Sequence, residues 1–239
     1  PGEWHEEHLP TRIRAKPLYA ALDVQGKDCT KRKDCNSIST CSDAPACHDG
    51  KEEDMAQTNC KTALGRSGIP GMDWCLNPYV GCTHGCVYCY ASFIEKFNAR
   101  PEPWGTWAEP KSNIARVLAG ELSKPRSGRV QISSVTDAYQ PMERRAGLTR
   151  ECLKVLAGSG LEVSILTKSD LVTRDADILT SFGGLLGDGS VKVGFSVCTL
   201  SDKLAALIEP GAPPPSRRMA ALKALSAAGV RTWVFIAPA

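Results

Sequence analysis

Between Val130 and Ile236 the chain repeats one pattern: a short run of β-branched and apolar residues, then a stretch with apolar residues at helical spacing. Val130–Val135 reads as a strand. A helix from Thr149 then carries Leu148, Cys152, Leu153 and Leu156 on one face and stops at Gly158. Leu161–Thr167 is the next strand, Asp175–Phe182 a helix and Val191–Val197 a strand. Ser216 opens a helix with Met219, Leu222 and Leu225 inward and a stop at Gly229, ahead of the strand Thr232–Ile236. Upstream, Ala91–Asn98 suits a short helix, and Ser112 is the expected N-cap of a helix carrying Ile114, Val117, Leu118 and Leu122. Alternation of this kind puts parallel strands under a cover of helices, an α/β architecture. With a first strand near Trp74, five strands are expected, fewer than the eight that close a full barrel.

Composition narrows the setting. At 239 residues, 42% hydrophobic and 23% charged, the chain suits a folded domain with a substantial core. A formal charge of +3 does not require nucleic acid as a partner. No apolar run approaches a membrane span, and Pro1-Gly2-Glu3-Trp4-His5-Glu6-Glu7 lacks the basic end and apolar middle of a signal peptide, so no membrane partner and a cytoplasmic location are the default expectations. The chain starts without Met and stops at or just after an apolar strand, which is read as a core continuing beyond Ala239.

The chemistry is concentrated in Gly81-Cys82-Thr83-His84-Gly85-Cys86-Val87-Tyr88-Cys89-Tyr90. Three cysteines at CxxxCxxC spacing are one thiolate short of a closed zinc site or an ordinary four-iron cluster, so they suit a cluster with one iron left open. The competing readings are a zinc knuckle and a disulfide cluster. Preceding the motif, Ser67–Val80 is strand-like and reaches a turn, which places the cysteines in a loop after the first strand. His84 is a candidate metal ligand or, more simply, a loop hydrogen-bonding residue.

This spacing, with an aromatic residue just before the third cysteine, resembles the radical S-adenosylmethionine superfamily, and the stretch Lys61–Ile94 resembles its subfamily related to spore photoproduct lyase. The resemblance implies a partial parallel (β/α)6-type barrel truncated at the C-terminus. It implies a [4Fe-4S] cluster on Cys82, Cys86 and Cys89 whose fourth iron is chelated by S-adenosylmethionine. One electron, from a flavodoxin- or ferredoxin-type donor, then yields a 5′-deoxyadenosyl radical that abstracts hydrogen from a substrate. By motif match, the cofactor would lie against Tyr88 and Tyr90, Thr136 and Asp137 after the second strand, Lys168 after the third, and Ser196 on the fourth. Aromatic rings suit adenine, a carboxylate suits the ammonium group or ribose, and a lysine suits the cofactor's carboxylate.

The substrate is left open, with nucleic acid one candidate and DNA-photoproduct repair the alternative activity. A non-catalytic metal or electron-transfer module is the alternative from another class. The lyases carry a hydrogen-donating cysteine after the second strand, where this chain has Ser134, whose O–H bond is too strong for that step. In the fourth strand Val191, Val193, Phe195 and Val197 alternate with Gly194, Ser196 and Cys198, which puts the small and polar set on the lumen. Cys198 is thus a candidate substitute donor, against the reading of a packing cysteine. Cys152 and Cys75 read as core.

Ahead of this lies an N-terminal extension, residues 1–60, before a core of 61–239. Its polar stretch, residues 25–59, carries Cys29, Cys35, Cys41 and Cys47 six residues apart, with Cys60 following. So polar a segment does not bury enough surface to fold alone. It reads as a passive insertion, an auxiliary iron–sulfur or zinc site, or a disulfide cluster.

Overall fold

The computed structural model describes residues 58–96, 101–186 and 191–237, apart from the side chains of 183–186, and all of these fall in one compact unit, Gly50–Ala239. Cys29, Cys35, Cys41 and Cys47, with the auxiliary site expected of them, lie outside the described residues.

The chain begins with strands β1 (Leu64–Arg66), β2 (Trp74–Leu76) and β3 (Tyr79–Gly81), then a 3₁₀ helix over Tyr90–Lys96 and strand β4 (Ala108–Pro110). Helix α1 (Ile114–Leu122), β5 (Arg129–Ile132), the short α2 (Glu143–Ala146), α3 (Leu148–Leu156) and β6 (Glu162–Thr167) follow. A second 3₁₀ helix, Asp170–Asp175, leads into α4 (Ala176–Leu186), β7 (Val191–Val197), α5 (Asp202–Ile208), α6 (Pro215–Ala227) and β8 (Arg231–Ile236).

Six strands form one sheet in the order β1-β2-β5-β6-β7-β8. β1 is antiparallel to β2, and the remaining neighbours are parallel, as βα connections require. The five parallel strands are those expected from the sequence, and they form an open, partial barrel. β3 and β4 pair separately, antiparallel.

The helices bury the faces their periodicity designates. Ile114 and Leu118 of α1, Cys152, Leu153 and Leu156 of α3, and Leu179 and Phe182 of α4 join Val163, Ile165, Val193 and Phe195 of the sheet in one core. Each such aliphatic or aromatic side chain contributes about 1.5–3 kcal/mol by leaving water, so the outward-facing apolar set of each strand glues helices to sheet.

Several expectations are corrected. β5 ends at Ile132 instead of Val135, because Ser133 adopts a left-handed φ of 72° and its hydroxyl accepts from Ala138 N at 2.7 Å, which turns the chain out of the pleat. The cap of α1 is Asn113, not Ser112; its amide group exchanges hydrogen bonds with Cys60 N and O, both 2.9 Å, and so ties Cys60 to the helix start. Cys75, on β2 next to the edge strand, is half-buried beside Arg66 O, since β1 covers it with a glycine, Gly65. On α6 Leu225 is buried as expected, but Arg218 is buried too, while Met219 and Leu222 are only partly buried. The strand-like run Ser67–Val80 divides into β2 and β3, and β1, β4, α2 and α5 were not anticipated: β1 and β4 are three residues each and α2 four, too short to show a period. Among the described residues no helix is long and apolar enough to cross a membrane.

Candidate active site

The cysteine loop leaves β3 through Gly81, whose φ is 77°. A Cβ there would stand 2.6 Å from the Trp107 ring and 2.7 Å from Trp107 O, so the turn admits only glycine. Cys82 is buried, and Cys86 and Cys89 are half-buried; all three are free thiols.

Residues after β5 hold the loop from one side. Thr136 Oγ1 donates to Gly81 O at 2.5 Å, Gln140 Oε1 accepts from Thr83 N at 3.0 Å, and His84 Nδ1 lies 3.3 Å from Asp137 Oδ2. Asp137 is fully engaged: its oxygens also accept from Tyr139 N (2.9 Å), Thr167 Oγ1 (2.7 Å) and Lys168 N (2.8 Å). Burial pushes its carboxyl up, but His84 and these donors outweigh burial and hold it at about 2. His84 thus takes the loop hydrogen-bonding role.

A brace between α5 and α6, residues 208–211, holds the loop from the other side. Val87 N donates to Ile208 O at 2.9 Å, Gly211 N to His84 O at 2.9 Å, and the Tyr88 hydroxyl to Glu209. Glu209 is buried; it receives Arg218 Nη2 at 2.6 Å and faces Lys168 Nζ at 3.9 Å. Arg218, also fully buried, donates from Nη1 to Ser196 O (3.0 Å) and from Nε to Pro213 O (2.8 Å). Burial raises the Tyr88 phenol further from ionisation, with Glu209 adding to the effect. Neither Glu209 nor Arg218 was singled out from the sequence. The signal was an Arg at a position that helical spacing would fill with an apolar residue.

One cavity of about 570 Å³ joins these parts at the C-terminal ends of the parallel strands. Its wall includes Cys82, Cys86, Cys89, Tyr88, Tyr90, Thr136, Asp137, Lys168 and Ser196, so every expected metal or cofactor residue meets there. Tyr90 also donates its hydroxyl to Ser134 O. Lys168 Nζ lies 5.6 Å from the Tyr88 ring centroid. Cys198 does not line this wall. The strand alternation that would place it on the lumen ends with β7 at Val197.

The cysteines fit a multi-iron cluster. Burial pushes the Cys82 and Cys86 thiols up to about 12, with Lys168 opposing this at Cys86, so at neutral pH they stay protonated until a cation replaces the protons. Among the described residues no three of His, Cys, Asp and Glu are gathered to hold a single metal ion. A tetrahedral zinc, with Zn–S of about 2.3 Å, would draw its sulfurs into near contact, whereas a cluster gives each thiolate its own iron.

Fold and site together define an open parallel barrel with a three-thiol loop at its mouth. The chain belongs to the Radical SAM superfamily, whose profile matches residues 76–238. It is 36% identical over 185 residues to an uncharacterized protein of Methanocaldococcus jannaschii, covering 77% of this chain and 67% of that one. An uncharacterized protein of Mycobacterium tuberculosis is 34% identical over 188 residues, covering 75% and 54%. Among solved structures, spore photoproduct lyase with bound AdoMet and dinucleoside spore photoproduct matches with a TM-score of 0.57 at 16% identity, covering 76% of this chain and 50% of that one. The chain therefore spans about half to two thirds of the proteins it matches, and the structural likeness concerns the fold.

Proposed function

We infer that this chain is the catalytic core of an enzyme that reductively cleaves S-adenosylmethionine at a [4Fe-4S] cluster held by Cys82, Cys86 and Cys89. The observation that carries this reading is the meeting of three free thiols from one loop with Lys168, Ser196 and the two tyrosines in a single cavity. The cluster, when bound, supplies the electron that cleaves a carbon–sulfur bond of the sulfonium and releases a 5′-deoxyadenosyl radical.

The chain's own residues bind and orient. Thr136, Gln140 and His84 clamp the loop so that the three sulfurs face the cavity. Lys168 brings a cation to the cavity wall to receive the carboxylate of S-adenosylmethionine, with Glu209 fixing its direction. Tyr88 and Tyr90 present rings at the cavity edge, suited to adenine. Asp137, with its acceptors occupied, serves to join the cysteine loop to the ends of β5 and β6. A flavodoxin- or ferredoxin-type protein is the fitting electron donor, and a reducing, cytoplasmic compartment suits both cluster and free thiols.

The substrate differs from that of spore photoproduct lyase in this reading. Ser134 occupies the place of the lyases' donor cysteine, and its Oγ is held by Asn77 Nδ2 at 2.8 Å. The test is anaerobic reconstitution with iron and sulfide. S-adenosylmethionine should alter the electron paramagnetic resonance spectrum of the reduced cluster, and Cys82→Ala, Cys86→Ala or Cys89→Ala should each abolish 5′-deoxyadenosine formation. Full cleavage by any one of these variants would overturn the assignment.

A further inference from the structure

The parallel register stacks the lumen-facing residues in layers. Gln131, Ser164 and Lys192 are direct neighbours on β5, β6 and β7, and one layer nearer the cysteines Leu166, Gly194 and Trp233 align on β6, β7 and β8. Parallel barrels normally fill such layers with branched apolar side chains. Here the lower layer is polar and remains part of the cavity wall.

Two polar atoms, one from each layer, have no internal use. Ser164 is 3% exposed, and neither its Oγ nor the indole Nε1 of Trp233 has a hydrogen-bond partner among the described residues, although both atoms are buried. Such groups demand a partner from a ligand or from water. Gly194 creates the room that the indole uses: a Cβ there would stand 2.3 Å from Trp233 Cε2. Lys192 Nζ lies 5.9 Å from the indole centroid. Gln131 spends its amide N–H on Ile132 O at 2.8 Å.

What faces this floor is donor-rich: a hydroxyl, an indole N–H that only donates, and an ammonium. Asp137 is the acidic residue of the described cavity wall, and its oxygens are occupied. Ser164 precedes Lys168 by four positions, about 13 Å at the roughly 3.3 Å rise of a parallel strand, so the floor is separate from the residues assigned to S-adenosylmethionine.

We propose that Ser164, Trp233 and Lys192 form a substrate subsite that receives a planar carboxylate carried by the substrate. The indole N–H and the Ser164 hydroxyl donate to the carboxylate oxygens and Lys192 balances the charge, while the substrate's C–H bonds project toward the cysteine loop. This inference rests on the radical-enzyme reading and names the substrate class for it.

The test is calorimetric titration of the reconstituted enzyme with S-adenosylmethionine present and no reductant, using benzoate and benzylamine as probes. Benzoate should bind saturably and benzylamine should not; Ser164→Ala, Trp233→Phe and Lys192→Met should each raise the benzoate Kd about tenfold, with circular dichroism confirming that each variant is folded. Absence of benzoate binding means that water fills the floor and overturns the proposal, as would equal binding of benzylamine. A Kd unchanged in the folded variants, or competition between benzoate and S-adenosylmethionine, would place the probe elsewhere and also overturn it. Dithionite added to the same wild-type sample separates the two readings. Cleavage of S-adenosylmethionine without benzoate binding sinks the subsite alone, whereas benzoate binding without cleavage supports the subsite and removes the radical chemistry.

Discussion

Glu209 and Arg218 show how much the site depends on charges buried beneath it. Both are shielded from water, and Glu209 connects Arg218 to Tyr88 and Lys168 on the cavity side. Removing one partner of such a pair costs more than removing both, because the remaining charge stays desolvated. Arg218→Met should therefore destabilise the domain by about 3–5 kcal/mol in urea unfolding, and Arg218→Met with Glu209→Met should recover much of the loss. Ser134 supports a second prediction at this scale. The wild-type enzyme should cleave S-adenosylmethionine without converting spore photoproduct to thymines, as read by chromatography of the dinucleotide. Ser134→Cys should produce repair only if the lesion already binds. Efficient repair by the wild type, lost on Cys198→Ala, would instead identify Cys198, acting beside Tyr88, as the hydrogen donor.

The cysteine loop is held as an element between two others, the turn after β5 and the brace between α5 and α6. The brace approaches so closely that a Cβ on Gly211 would stand 2.1 Å from Thr83 O and 3.0 Å from His84 Cα. Backbone cannot yield as the tip of a side chain can, so Gly211→Ala must push brace and loop apart. Iron bound per chain after reconstitution should fall at least several-fold, while the far-ultraviolet circular dichroism of the barrel stays near that of the wild type. Unchanged iron content would show that the loop is positioned by Thr136, Gln140 and Asp137 alone.

For the whole molecule, the cysteine loop, the cavity and its floor are built from residues outside 25–59. Deleting those residues should leave the chromophore of the primary cluster and its uncoupled cleavage of S-adenosylmethionine intact. Iron analysis checks this: a loss of about four irons per chain, with the primary cluster retained, would reveal an auxiliary cluster on the N-terminal cysteines.

The sequence by itself determined the parallel strands, the helices between them and the three-cysteine loop, because these depend on local periodicity and on ligand spacing within one short segment. It also brought Thr136, Asp137, Lys168 and Ser196 to one end of the sheet, since the C-terminal ends of parallel strands share that end. Tertiary structure alone decided which of these face open space and which are already occupied. Asp137 is consumed by donors from three segments, and Cys198 leaves the cavity wall because β7 ends one residue before it. Arg218 is buried because Glu209 and the carbonyls of Pro213 and Ser196 meet its guanidinium. Ser164 and Trp233 come to one cavity wall only when β6, β7 and β8 pair in register. Pattern along a chain reports which face a residue takes, whereas satisfaction of a buried polar group depends on partners that only the packed fold supplies.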